Sequence, residues 1–79
     1  MNRNVDYNRY ISTKPFKELI EERNISMSQI SRDLGMSSRT ISNFSNGRGV
    51  NLSTVVRLCR YLEVPIEQVI TVDYEKSPE

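Results

Sequence analysis

A chain of 79 residues, 37% apolar and 27% charged, has room for one hydrophobic core, and at this size it buries only about 60% of its unfolded surface. It holds no histidine and a single cysteine, Cys59, which removes internal disulfides, the common zinc sites, and Ser-His-Asp or Cys-His catalysis together. No apolar run nears the roughly 18 residues of a membrane span, and Met1-Asn2-Arg3-Asn4 opens no secretory signal. A cytoplasmic protein is expected, with no enzymatic activity, no cofactor, no metal and no small-molecule ligand.

Residues 1–12 are polar and lack periodicity, so they read as an arm leading into a domain over 13–71, with 72–79 as a tail. Pro15 suits a first helical turn flanked by Thr13 or Lys14. Phe16, Leu19, Ile20 and Arg23 then repeat at three and four, predicting a first helix over about 15–23. Asn24 is able to leave it in a left-handed conformation. Ser26-Met27-Ser28-Gln29 reads as a capping box opening a second helix, whose buried line is Met27, Ile30, Ser31 and Leu34 and whose stop is Gly35. Ser37 caps a third helix to about Ser45, closed by Asn46-Gly47. Asn51 caps a fourth, with a predicted buried stripe of Leu52, Val55, Val56, Cys59 and Leu62. Pro65 opens a short fifth helix containing Ile66, Val69 and Ile70. The expectation is an all-α, compact five-helix domain.

The charge is unevenly placed. From Ser26 to Arg60 five arginines (Arg32, Arg39, Arg48, Arg57, Arg60) face the single acid Asp33, a balance of +4, while the flanks together carry −3. A basic middle between acidic flanks is the asymmetry expected where one face meets a polyanion. The third helix sharpens the point. At about 100° per residue, Ser38, Arg39, Ser42, Asn43 and Asn46 fall in one continuous arc, with Ile41 and Phe44 opposite. Arginine suits guanine, asparagine suits adenine, and serine can address several bases in the major groove. Two short helices joined at Gly35 form a helix-turn-helix candidate.

The ordered set Met27, Ile30, Ser31, Leu34, Gly35, Ile41, Phe44 and Asn46-Gly47 resembles the lambda-repressor-like (Xre-type, Cro/cI) helix-turn-helix family, and the likeness extends over most of 14–70. That resemblance implies a sequence-specific regulator of double-stranded DNA, a small repressor, reading the major groove with its third helix. It places Ser38, Arg39 and Asn43, with Ser42 beside them, among base-reading side chains. It places Ser37, Asn46 and the Gly47-Arg48 loop at phosphates. Ser31 stands where the family prefers alanine. Met27 stands where the family often has a phosphate-gripping glutamine, a task that then passes to Ser26, Ser28 or Gln29.

The remaining features have plainer readings. Cys59 on the fourth-helix stripe is a structural thiol, Gly47 and Gly49 lack the Walker context of a nucleotide cradle, Glu18, Glu21 and Glu22 are a solvated helix face, and Met36 fills the turn. Two readings stay open for Ile66, Val69, Ile70, Val72 and Tyr74: a homodimer contact through the C-terminal region, which would imply a palindromic operator, or a cover for the fourth helix. An alternative function on the same fold is a protein-interaction module of the antitoxin or antirepressor type.

Overall fold

The computed structural model describes residues 7–73. Four α-helices carry it: α1 (Lys14–Glu22), α2 (Met27–Leu34), α3 (Ser38–Ser45) and α4 (Leu52–Leu62). A 3-10 turn at Tyr7–Tyr10 leads into β1 (Ile11–Ser12), which pairs antiparallel with β2 (Thr71–Val72) in the register Ile11↔Val72 and Ser12↔Thr71. Residues 7–12 are thus regular structure rather than an irregular lead-in. Among the described residues no helix is long and apolar enough to cross a membrane.

The fifth helix is absent. Residues Ile66–Gln68 form one 3-10 turn, closed by Gln68 N–H to Pro65 C=O at 3.0 Å and Val69 N–H to Ile66 C=O at 2.8 Å. Two forces stop it there. One turn does not recover the cost of helix nucleation, and the β-branched run Ile70-Thr71-Val72 favours the extended pairing with β1 that follows. The fold is mostly helical, as expected, but among the described residues four helices and a short two-stranded sheet stand where five helices were predicted.

Caps fix where each helix begins. Ser26 Oγ accepts from Gln29 N–H at 3.0 Å, Ser37 Oγ from Thr40 N–H at 3.1 Å and Asn51 Oδ1 from Thr54 N–H at 2.9 Å. Each satisfies one amide that helix geometry leaves without an internal partner. Thr13 does not cap α1. Its hydroxyl is turned inward instead, and the Phe16 amide of the first turn donates to Val69 C=O at 3.2 Å.

All four helices end alike. An amide bonds five residues back across a left-handed residue: Ile25 to Ile20 over Asn24, Met36 to Ser31 over Gly35, Arg48 to Asn43 over Gly47, and Val64 to Cys59 over Glu63. This is the Schellman closure. Glycine enters it without a Cβ penalty, but Glu63, at φ 59°, holds a conformation costing a non-glycine residue about 1–2 kcal/mol. Glu63→Gly should therefore raise stability by about 0.5–1 kcal/mol, since glycine's extra unfolded-state entropy offsets part of the relief. A urea unfolding midpoint that fell would show that the glutamate side chain supplies something the backbone argument omits.

The core comprises Phe16, Leu19, Ile20, Ile30, Ile41, Phe44, Val55, Leu58, Leu62 and Val69. Phe16 of α1 and Phe44 of α3 meet edge to face, ring centroids 5.2 Å apart at 84°, a favoured aromatic geometry. The predicted α4 stripe is corrected: Leu52 and Val56 are 71% and 61% exposed, while Leu58 is fully buried. At about 100° per residue, Val55, Leu58 and Leu62 span a 60° arc, and Leu52 and Val56 point well to one side of it. Cys59, between the two arcs, is half-buried. Desolvation, and then the charge of Glu67, push its thiol pKa up, so it stays protonated and unreactive at neutral pH.

Candidate nucleic-acid interface

The helix-turn-helix is built from α2 and α3, which pack against each other across the Gly35 turn. Gly35, at φ 66°, supplies the left-handed step. Ser31 closes the turn twice: its carbonyl accepts from Met36 N–H at 3.0 Å, and its hydroxyl donates to the Met36 carbonyl. Serine in the position where the resemblance favours alanine therefore remains small and adds a hydrogen bond.

On α3 the sequence arc becomes a surface. Ser38, Arg39, Ser42 and Asn43 are all exposed, whereas Ile41 and Phe44 are 0% and 1% exposed. The buried pair fixes the rotation of the helix, and that rotation presents four hydrogen-bonding side chains together. Asn46 continues the exposed arc at the C-terminal end of the helix.

The flanking positions differ in what they have left to offer. Ser37 is exposed, but its hydroxyl is engaged with the Thr40 amide and the Thr40 hydroxyl, at 3.1 and 2.8 Å. The loop amides proposed for phosphate are spent: Asn46, Gly47 and Arg48 N–H groups donate back to α3 carbonyls. Only the exposed side chains of Asn46 and Arg48 remain for an anion. On α2, Met27 is half-buried against the core and the Ser26 hydroxyl is the cap. Ser28 and Gln29 are the exposed polar side chains of that first turn.

The basic middle of the chain also divides. The Arg57 guanidinium donates to Leu34 C=O at 2.6 Å, tying α4 to the end of α2. Arg32 lies near enough to Tyr61 to favour its phenolate, but the hydrogen bond from that phenol to the Asp33 carboxylate dominates, and the Tyr61 pKa is raised. These two arginines serve the α2–α4 side of the domain, while Arg39 and Arg48 belong to α3 and the loop after it.

Three residues near the interface were not among the sequence candidates. The Thr13 hydroxyl donates to the Ser45 carbonyl at 2.9 Å in a buried bond, latching the start of α1 to the end of α3. Lys14 and Lys17 line a groove with Ser45, Asn46 and Gly47. Their signal in the sequence is a spacing of three on an otherwise acidic helix, which says nothing of α3 until the tertiary packing is known.

Comparison with known proteins bears on the whole arrangement. A family profile described as the Cro/C1-type HTH DNA-binding domain matches residues 16–75. The crystal structure of the transcriptional regulator VanUg (form II) superposes with a TM-score of 0.71 at 20% identity, covering 89% of this chain and 88% of that one, a likeness of fold. No curated protein matches the chain by sequence. The profile takes in α1 from Phe16 onward, the whole of α2, α3 and α4, the Gly35 turn and the exposed face of α3, and the chain belongs to the Cro/C1-type helix-turn-helix DNA-binding domain family.

Proposed function

We propose that this protein is a sequence-specific regulator of transcription that reads the major groove of duplex DNA with α3. The observation that carries the reading is the division of that helix: Ile41 and Phe44 are sealed in the core while Ser38, Arg39, Ser42 and Asn43 stand exposed together. A protein-binding helix face would be expected to carry apolar anchors in its centre. This one carries guanidinium, amide and hydroxyl groups, the chemistry that base edges accept. Ser28, Gln29, Ser37, Asn46 and Arg48 would hold phosphates on either side and set the register, Ser37 through a hydroxyl it shares with its cap. Occupancy of an operator excludes other proteins from it, so repression is the mode proposed.

Two copies on one operator would set their reading helices about one DNA turn, roughly 34 Å, apart on a palindromic site. The C-terminal region offers less for that dimer than its composition suggests, because Val69 is fully buried in its own core. Ile66 and Val72 remain 47% and 53% exposed, and Tyr74 lies outside the described residues.

Selection of a random duplex library by the purified protein, with sequencing of the bound pool, tests the reading. A recovered motif is the expected result, and two-fold symmetry within it would support the dimer. A pool without a motif at any salt concentration would turn attention to the second reading, a protein-interaction module. The exposed Leu52 and Val56 of α4 favour that reading, and such a contact would persist at high salt.

A further inference from the structure

Four of the five charged side chains of α1 are sorted between two grooves. Lys14 and Lys17, three residues apart and hence neighbours on the helix surface, line a groove of about 280 Å³ with Ser45, Asn46 and Gly47 from the end of α3. Glu18 and Glu22 line a different groove, joined there by Glu67. Among the described residues, the first groove has no acid in its lining and the second has no base. The basic groove is also held rigidly to the reading helix. Thr13, one residue before Lys14, donates its buried hydrogen bond to Ser45, and Phe16, one residue before Lys17, packs on Phe44.

We infer that this groove receives a phosphate of the DNA strand that passes the C-terminal end of α3, with Lys14 and Lys17 as its cations and the Asn46 side chain as a hydrogen-bond donor. The inference rests on the reading of α3 as a DNA-reading helix and extends its footprint to α1. Two ammonium groups beside an amide, with no carboxylate in the lining, suit a phosphodiester. The latch holds them at a constant offset from Arg39 and Asn43, which is what a register-setting contact requires. The glutamates of the other groove are kept away from the same polyanion. The acidic flank that the sequence presents therefore conceals a basic surface.

Fluorescence anisotropy on the selected duplex, titrated over potassium chloride, tests it with wild type and K14Q/K17Q. Both lysines are exposed, so the variant should fold, and an unchanged urea midpoint checks this. The slope of log Kd against log salt should fall by about 0.9, the contribution of one phosphate contact, so that between about 50 and 200 mM salt the wild type loses roughly three- to fourfold more affinity than the variant. Matched and mismatched duplexes should weaken alike. An unchanged slope overturns the inference while wild-type binding leaves the DNA reading intact. An altered base preference overturns it as well, by making the lysines base readers. An E18Q/E22Q variant should leave the slope as in wild type; an equal and opposite change there would assign the effect to net charge. Wild type that fails to bind duplex defeats the functional reading, and the phosphate site with it.

Discussion

Phe44→Ala should lower the unfolding free energy by about 3–5 kcal/mol, the range for truncating a buried aromatic. Phe44 is 1% exposed and packs edge to face on Phe16, so the change removes both apolar burial and an aromatic pair between α1 and α3. A domain of this length has about 4–12 kcal/mol in all, and each kilocalorie is worth about 4–8 °C of melting temperature. The melting temperature should therefore fall by roughly 12–40 °C, as circular dichroism during urea and thermal titration would read. Phe44→Leu keeps most of the volume and should lose markedly less. A loss below about 1 kcal/mol for the alanine variant would mean that α3 is not anchored through this ring.

The second large effect falls on recognition. Arg39→Ala should cost about 1–3 kcal/mol of binding on the selected duplex, roughly 5- to 150-fold in Kd, and relax the preference at one base pair. Asn43→Ala should do the same at a different position. Neither residue is buried, so thermal stability should hardly move, which separates these variants from Phe44→Ala. Competition binding with duplexes mutated one pair at a time gives the readout. A uniform loss across all duplexes would turn Arg39 into a phosphate contact, and no loss at all would remove α3 from the interface.

Much of the fold was legible because local rules decided it. Ser26, Ser37 and Asn51 are caps whose side chains act over three residues, and Gly35 and Gly47 satisfy a backbone need that depends on nothing distant. The polar arc of α3 was legible for a related reason, since helical periodicity alone separates Arg39 and Asn43 from Ile41 and Phe44. What escaped depends on tertiary contact. Leu58 displaced Leu52 and Val56 from the core because several apolar positions on α4 fit helical spacing and only the neighbouring helices choose among them. Glu63 carries no propensity for the left-handed conformation that it adopts. Thr13, expected only to flank the start of α1, became a latch to Ser45. The loop amides looked available and were consumed in ending α3.

The pairing of Ile11 with Val72 spans about sixty residues of chain, a loop whose closure entropy is among the largest this molecule must overcome. Only two residues on each side hold it, and Thr71 and Val72 are exposed. Contacts that are so remote along the chain and so thinly supported form late and open first. Amide exchange should therefore run in two tiers: the Asp73 amide, bonded to the Tyr10 carbonyl at 2.8 Å, exchanges through a local unzipping of β1 from β2, while the core amides of α3 and α4 wait for global unfolding. Residues 7–12 would then detach and reseat many times in the lifetime of one folded molecule, although the reading helix never leaves its place.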